Sequence, residues 1–223
     1  MNLSRERGMS NFLSKVFLWM MIGLLISGGT AYLTYATPSI TKFVYQFYTL
    51  ILLVELIVVI SFTALRRKVS PGMAKLLFII YSIVSGLTLS SIFIVYKLGS
   101  IGIVFLAAAL MFGLMGIYGL TTKNDLSSFG KILIFALIAI IIMSVINIFV
   151  QNSEFNIFIC IVSILIFLGL TAWDLNNLKT IYRYYESNEE ELNKAAIYGA
   201  LDLYLDFINI FLNLLNLFGK RND

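Results

Sequence analysis

The sequence predicts an all-α membrane protein of seven transmembrane helices, the last of them central in the bundle. Apolar residues make up 60% of the 223 and charged residues only 13%, whereas a soluble domain carries about 25% charged residues. Runs of about 20 apolar residues follow one another, each long enough to cross a hydrocarbon core of ~30 Å. The final run also carries a polar stripe that lipid would not tolerate. In lipid every backbone polar group must be satisfied within its own segment, which makes the spans helices.

Read between charged or turn-rich breaks, the spans fall near 16–36, 43–65, 74–96, 101–121, 130–150, 155–173 and 195–218, within a single transmembrane domain covering 1–223. The first run follows Arg5, Arg7 and Lys15 as a secretory signal would, but it is too long for such a signal and lacks a small-residue cleavage site, so it is expected to be retained. Ala109, Gly113, Gly116 and Gly119 in the fourth span, with Gly28 and Gly29 in the first, are small residues suited to close helix packing. The sixth loop, 174–194, is the one long enough for structure of its own: Ser187 with Glu190 has the spacing of a capping box that would open a helix, and the competing reading is a solvated acidic linker.

Lys and Arg on alternate sides of these spans are unequal. The amino-terminal tail holds three, the second loop four (Arg66, Arg67, Lys68, Lys75), the fourth loop two and the sixth loop three, leaving Lys42, Lys97, Lys220 and Arg221 on the other side. The positive-inside rule therefore predicts a multi-pass protein of the cell membrane with a cytoplasmic amino terminus and an external carboxyl terminus. The same distribution, in short loops rather than one patch, argues against nucleic acid as a partner.

The single cysteine, Cys160, lies inside an apolar run, and there is no histidine. A disulfide framework, a cysteine or histidine zinc site and a Ser-His nucleophile are thereby excluded, and proton chemistry falls to carboxylates. A charged side chain at mid-membrane costs at least ~2.5 kcal/mol and calls for a partner or water. Glu55 lies in the middle of the second span, Asp202 and Asp206 within the seventh, and Asp174 where the sixth span meets the cytoplasm. In the seventh span Asp202, Asp206, Asn209, Asn213 and Asn216 recur at steps of four and three, which is one face of a helix. The competing reading for the three amides is hydrogen bonding between helices.

The segments SFTALRRKVSPGMAKLLFIIYSIVSGLTLSSIF, LTTKNDLSSFGKIL, GLTAWDLNNLK and LYLDFINIFLNLL together resemble the transmembrane BAX-inhibitor-motif family, in particular its bacterial members. The resemblance covers nearly the whole chain from about residue 43. It implies a seven-helix fold with a central last helix and a pH-sensitive calcium leak. Carried over by position, the family's paired aspartates fall on Asp174 and Asp206, which serve as pH sensor and gate and as possible Ca²⁺ contacts. The arginine that engages the pair when closed falls on Arg66, and a glutamate of the ion pathway falls on Glu55. Asp202 departs from the pattern as an additional acid one turn from Asp206, and the loop after Asp174 is long for a bacterial member.

The expected function is therefore a Ca²⁺ leak channel, not an enzyme, with no cofactor and with Ca²⁺ as permeant ion. Ca²⁺ takes oxygen ligands, and Glu55, Asp202, Asn209 and Asn213 supply them along the pathway. The expected partners are the bilayer, calcium and protons; the residues leave the oligomeric state open and are compatible with a monomer. Two other readings compete. A non-conducting scaffold or regulator of membrane proteins is one. The other is an intramembrane aspartyl protease, disfavoured because Gly199 and Asp202 only approximate the GxGD motif of that class and both prolines lie far upstream, at Pro38 and Pro71.

Overall fold

A computed structural model describes residues 3–66 and 68–222. Arg67, counted above among the basic residues of the second loop, lies outside the described residues. Those described form helices α1 (Leu3–Ala36), α2 (Pro38–Gln46), α3 (Tyr48–Ala64), α4 (Pro71–Leu89), α5 (Ser91–Val95), α6 (Leu98–Thr121), α7 (Ser127–Val150), α8 (Ser153–Tyr185) and α9 (Glu189–Phe218). The chain is an all-α membrane protein. Six stretches, with α4 and α5 counted as one, are long and apolar enough to cross a bilayer, and α2 with α3 makes a seventh if the bent pair counts as one span.

The second span expected over 43–65 falls on this bent pair, which begins earlier, at Pro38. The chain bends by 77° between α2 and α3, at Phe47, where the Phe43 and Phe47 rings lie 4.9 Å apart. The 17 residues of α3 rise about 26 Å, nearly the thickness of the hydrocarbon core. The start of α4 follows local rules: Ser70 Oγ accepts from the Met73 N–H at 3.3 Å, and Pro71 occupies the first helical position.

The predicted sixth loop is corrected. Counting apolar residues locates hydrocarbon, not helix ends, and α8 continues twelve residues past the predicted span end to Tyr185. Only 186–188 separate it from α9. The cap is Asn188 rather than Ser187: its Oδ1 accepts from the Glu191 N–H at 3.1 Å, which shifts the expected box by one residue.

The chain divides into two compact units. The first comprises the described residues up to Leu98, Ile181–Tyr204 and the tail from Arg221. Here α4 packs on α1 closely enough that a Cβ on Gly86 would lie 2.6 Å from the Ser27 carbonyl oxygen. Beyond the apolar stretch, α1 meets the α8–α9 turn through an Arg5–Glu186 ion pair at 2.6 Å, a Lys15–Asn193 hydrogen bond at 3.1 Å and a Phe12–Tyr182 ring contact at 5.8 Å.

The second unit comprises Gly99–Thr180 and Leu205–Lys220. Glycines bring α6 and α7 against α8: a Cβ on Gly119 would overlap the Ala172 backbone, one on Gly130 the Trp173 indole, and one on Gly116 would lie 3.0 Å from Leu175 Cδ1. Gly28, Gly29 and Gly113 face open space instead, so the small-residue contacts predicted from sequence hold at Gly116 and Gly119 alone among the glycines named for them. Gly119→Val should lower the thermal stability of the detergent-solubilised protein by an amount typical of overpacking, about 1–3 kcal/mol, because backbone cannot move aside as a side chain can. Gly28→Ala should leave it unchanged, and equal melting losses in the two would contradict the packing.

The last helix is the most enclosed. Its apolar window is 72% buried, against 56% for α8 and 11% for α7.

Candidate functional site

Asp174 sits in a segment of α8 packed, within its own unit, against α6, α7 and the turn between them. Trp173 fills the space left by Gly130, and Leu175, fully buried, fills that left by Gly116. Asn176 Nδ2 donates to the Gly119 and Asn124 carbonyls, each at 3.4 Å. Lys179 Nζ donates to the carbonyls of Leu120 at 3.1 Å and Thr122 at 3.0 Å. A cation at the carboxyl end of α6 satisfies a carbonyl the helix leaves open, that of Leu120, and complements its dipole. The AWDLNNLK segment thus fixes Asp174 through its neighbours, a role for Trp173 and Lys179 that charge counting could not show.

Asp206 belongs to the same unit and is 4% exposed. Around it Phe207 meets Phe105 at 5.1 Å and Phe112 at 5.7 Å, edge to face. Asn209 and Asn213, half-buried, donate their amide N–H groups back to the carbonyls of Leu205 and Asn209, both at 2.8 Å. With the amides so oriented, the Oδ1 atoms turn away from the helix's own backbone. Asn216, exposed, accepts from Asn156 Nδ2 at 3.4 Å. At Asn209 and Asn213 the stripe therefore presents oxygen rather than N–H, the atom type a hard cation takes. Among the described residues no group of three or more Asp, Glu, Cys or His is placed to hold a metal ion, so a resident metal at Asp174 and Asp206 would have to draw on other oxygens.

Arg66 and Asp202 lie in the first unit. Arg66 Nη1 stands 3.9 Å from Asp202 Oδ2, with both side chains 40% exposed. Asp202, the acid that departs from the family pattern, is thus an ion-pair partner of Arg66, a role the carry-over gave to Asp174 and Asp206. Tyr198, one turn earlier on α9, lies beneath the guanidinium, its ring centroid 5.0 Å from Cζ. Its hydroxyl donates to the Phe62 carbonyl at 3.1 Å. Nothing local in the sequence distinguishes Tyr198 from other aromatics, because its partner is 136 residues away.

Glu55, in the same unit, is half-buried and accepts from Thr88 Oγ1 at 2.7 Å. The same hydroxyl lies 2.8 Å from the Ser85 carbonyl, so one proton has two acceptors within reach. Tyr204 on α9 donates to Ser85 Oγ at 3.0 Å. The Thr88 hydroxyl gives Glu55 a polar partner of the kind a mid-span carboxylate requires.

Taken together, an all-helical multi-pass protein with acids and amides along its most buried helix defines a class of membrane protein built around intramembrane polar groups. Residues 9–223 match the family described as "Inhibitor of apoptosis-promoting Bax1", and the chain belongs to this Bax inhibitor family. It is 38% identical over 218 residues to the inner membrane protein YbhL of Escherichia coli K12, covering 96% of this chain and 93% of that protein. It is 39% identical over 217 residues to an uncharacterized protein of Borreliella burgdorferi, covering 96% and 94% respectively. Over 224 residues it is 33% identical to the uncharacterized protein RP147 of Rickettsia prowazekii, covering all of this chain and 94% of the relative.

Proposed function

We propose that this protein is a pH-sensitive calcium leak, not an enzyme, in which Asp174 and Asp206 form the proton-sensing pair and Arg66 is the latch. The observation that carries this reading is Asp206, a carboxylate 4% exposed within an apolar helix and in the same compact unit as Asp174. Holding such a group in a membrane is costly unless it works. Family membership supports the reading, since the resemblance implies a leak of this kind. Two carboxylates that share a site titrate as a unit. While anionic they favour the guanidinium and attract Ca²⁺; protonation weakens both effects. Acidification should then first release the latch and raise flux, and at still lower pH reduce flux as the attraction for Ca²⁺ fades. Glu55, Asp202, Asn209 and Asn213 supply oxygens along the pathway.

Calcium flux into liposomes containing this protein alone, followed from neutral to acid pH, tests the proposal. A rise on acidification that empty liposomes lack is expected. Flux at the empty-liposome level throughout would instead favour a scaffold, and cleavage of a membrane-embedded peptide without flux would favour a protease.

We also propose a cytoplasmic amino terminus and an external carboxyl terminus, from the unequal distribution of the 16 basic residues. Reporters fused after the last residue should read as external and reporters inserted between α8 and α9 as cytoplasmic; the opposite pair of readings would reverse the orientation.

A further inference from the structure

We propose that Tyr198 is the positioning residue of the latch: it seats the end of α3 on α9 and holds Arg66 in place whether or not Asp202 is charged. The proposal rests on the leak reading only for its consequence on flux, since the seat itself is geometry.

In the last turn of α3 the Ser61 carbonyl accepts from the Leu65 N–H at 2.9 Å and the Thr63 carbonyl from the Arg66 N–H at 3.3 Å. Between them, the Phe62 carbonyl accepts from the Tyr198 hydroxyl. A side chain of α9 thus completes the hydrogen bonding of the helix end that carries Arg66. The Phe62 and Tyr198 rings pack at 4.6 Å, and both residues are almost fully buried. The Arg66 guanidinium also lies over the Tyr198 ring. Tyr198 therefore meets the end of α3 through a carbonyl, a ring and a cation at once.

The ion pair with Asp202 is the looser contact. It is long at 3.9 Å and exposed at both ends, so salt screens it and double-mutant measurements on such pairs find little coupling. Asp202 and Tyr198 are four residues apart, hence neighbours on one face of α9. The carboxylate biases the guanidinium, while the ring and the carbonyl bond fix the helix end. Opening is then a separation of α3 from α9 rather than a swing of the arginine side chain.

The test is the distance between spin labels at Ala64→Cys on α3 and Glu190→Cys on α9, both exposed positions, in a Cys160→Ala background. At neutral pH Tyr198→Leu should broaden the distance distribution markedly, Tyr198→Phe less, and Asp202→Asn hardly at all. The unsubstituted Tyr198 protein should keep its narrow distribution as salt is raised to about 1 M, where exposed ion pairs are screened; this arm does not depend on a core variant folding. A distribution that broadens with salt, or with Asp202→Asn but not Tyr198→Leu, would overturn the proposal. Calcium flux measured on the same samples should rise several-fold in Tyr198→Leu. Broadening without added flux would leave the seat standing and count against the leak reading instead.

Discussion

Arg66→Ala should raise calcium flux at neutral pH by about tenfold. The estimate follows from what the arginine touches. An exposed ion pair such as that with Asp202 contributes at most ~1 kcal/mol, and a guanidinium over a tyrosine ring adds about 0.5 to 1 kcal/mol at a partly exposed site. Their loss shifts a closed-to-open ratio by the factor that ~1.4 kcal/mol represents, which is tenfold. Arg66→Lys should fall between, because lysine keeps the charge but loses the planar fork that lies flat on an aromatic face. Flux from liposomes at neutral pH, normalised to reconstituted protein, gives the comparison. Wild-type flux in a folded Arg66→Ala protein would remove Arg66 from the gate.

Asp206→Asn should abolish the dependence of flux on pH, and so should Asp174→Asn. Asparagine matches aspartate in shape but cannot ionise, so each variant fixes one member of the pair in its uncharged state, and the remaining acid no longer has a like charge to oppose its ionisation. Asp206 is the more telling of the two. It is 4% exposed, and the presence or absence of charge matters most at a buried site. Asp202→Asn, at a half-exposed site, should shift the profile only mildly. The three profiles are measured side by side in one lipid. Retention of the wild-type profile by all three would dispose of a carboxylate switch, and its loss in Asp202→Asn alone would move the sensor one turn along α9.

Much of the architecture was legible because hydrocarbon imposes a simple demand on composition. Apolar runs located the spans, and the alternation of fours and threes from Asp202 to Asn216 identified α9 as the helix that lipid could not surround. Helix ends were not legible in this way. The polar residues after Asp174 look like loop to any count of apolar residues, yet they continue α8 because a helix needs no lipid to persist once its face is packed. The bend at Phe47 has neither proline nor glycine beside it, so no breaker marked it. At the candidate site the acids and Arg66 stood out as charges in apolar surroundings. Tyr198, Thr88 and Trp173 did not, since an aromatic or hydroxyl side chain within a span is ordinary until its distant partner is known. Asp202 was visible as an extra acid, but only geometry supplied a guanidinium for it.

Of the six stretches able to span alone, α7 is the least buried, and this makes the bilayer itself a working part. Its 24 residues measure about 36 Å, more than the ~30 Å they must cross, so its inclination depends on how thick the surrounding lipid is. Where Gly130 admits the Trp173 indole and Leu133 meets Gly169, any change in that inclination presses on the residue adjoining Asp174. Lipids with shorter acyl chains should therefore displace the pH midpoint of flux relative to longer ones, at constant headgroup. An identical midpoint across chain lengths would mean that α7 tilts without moving Trp173.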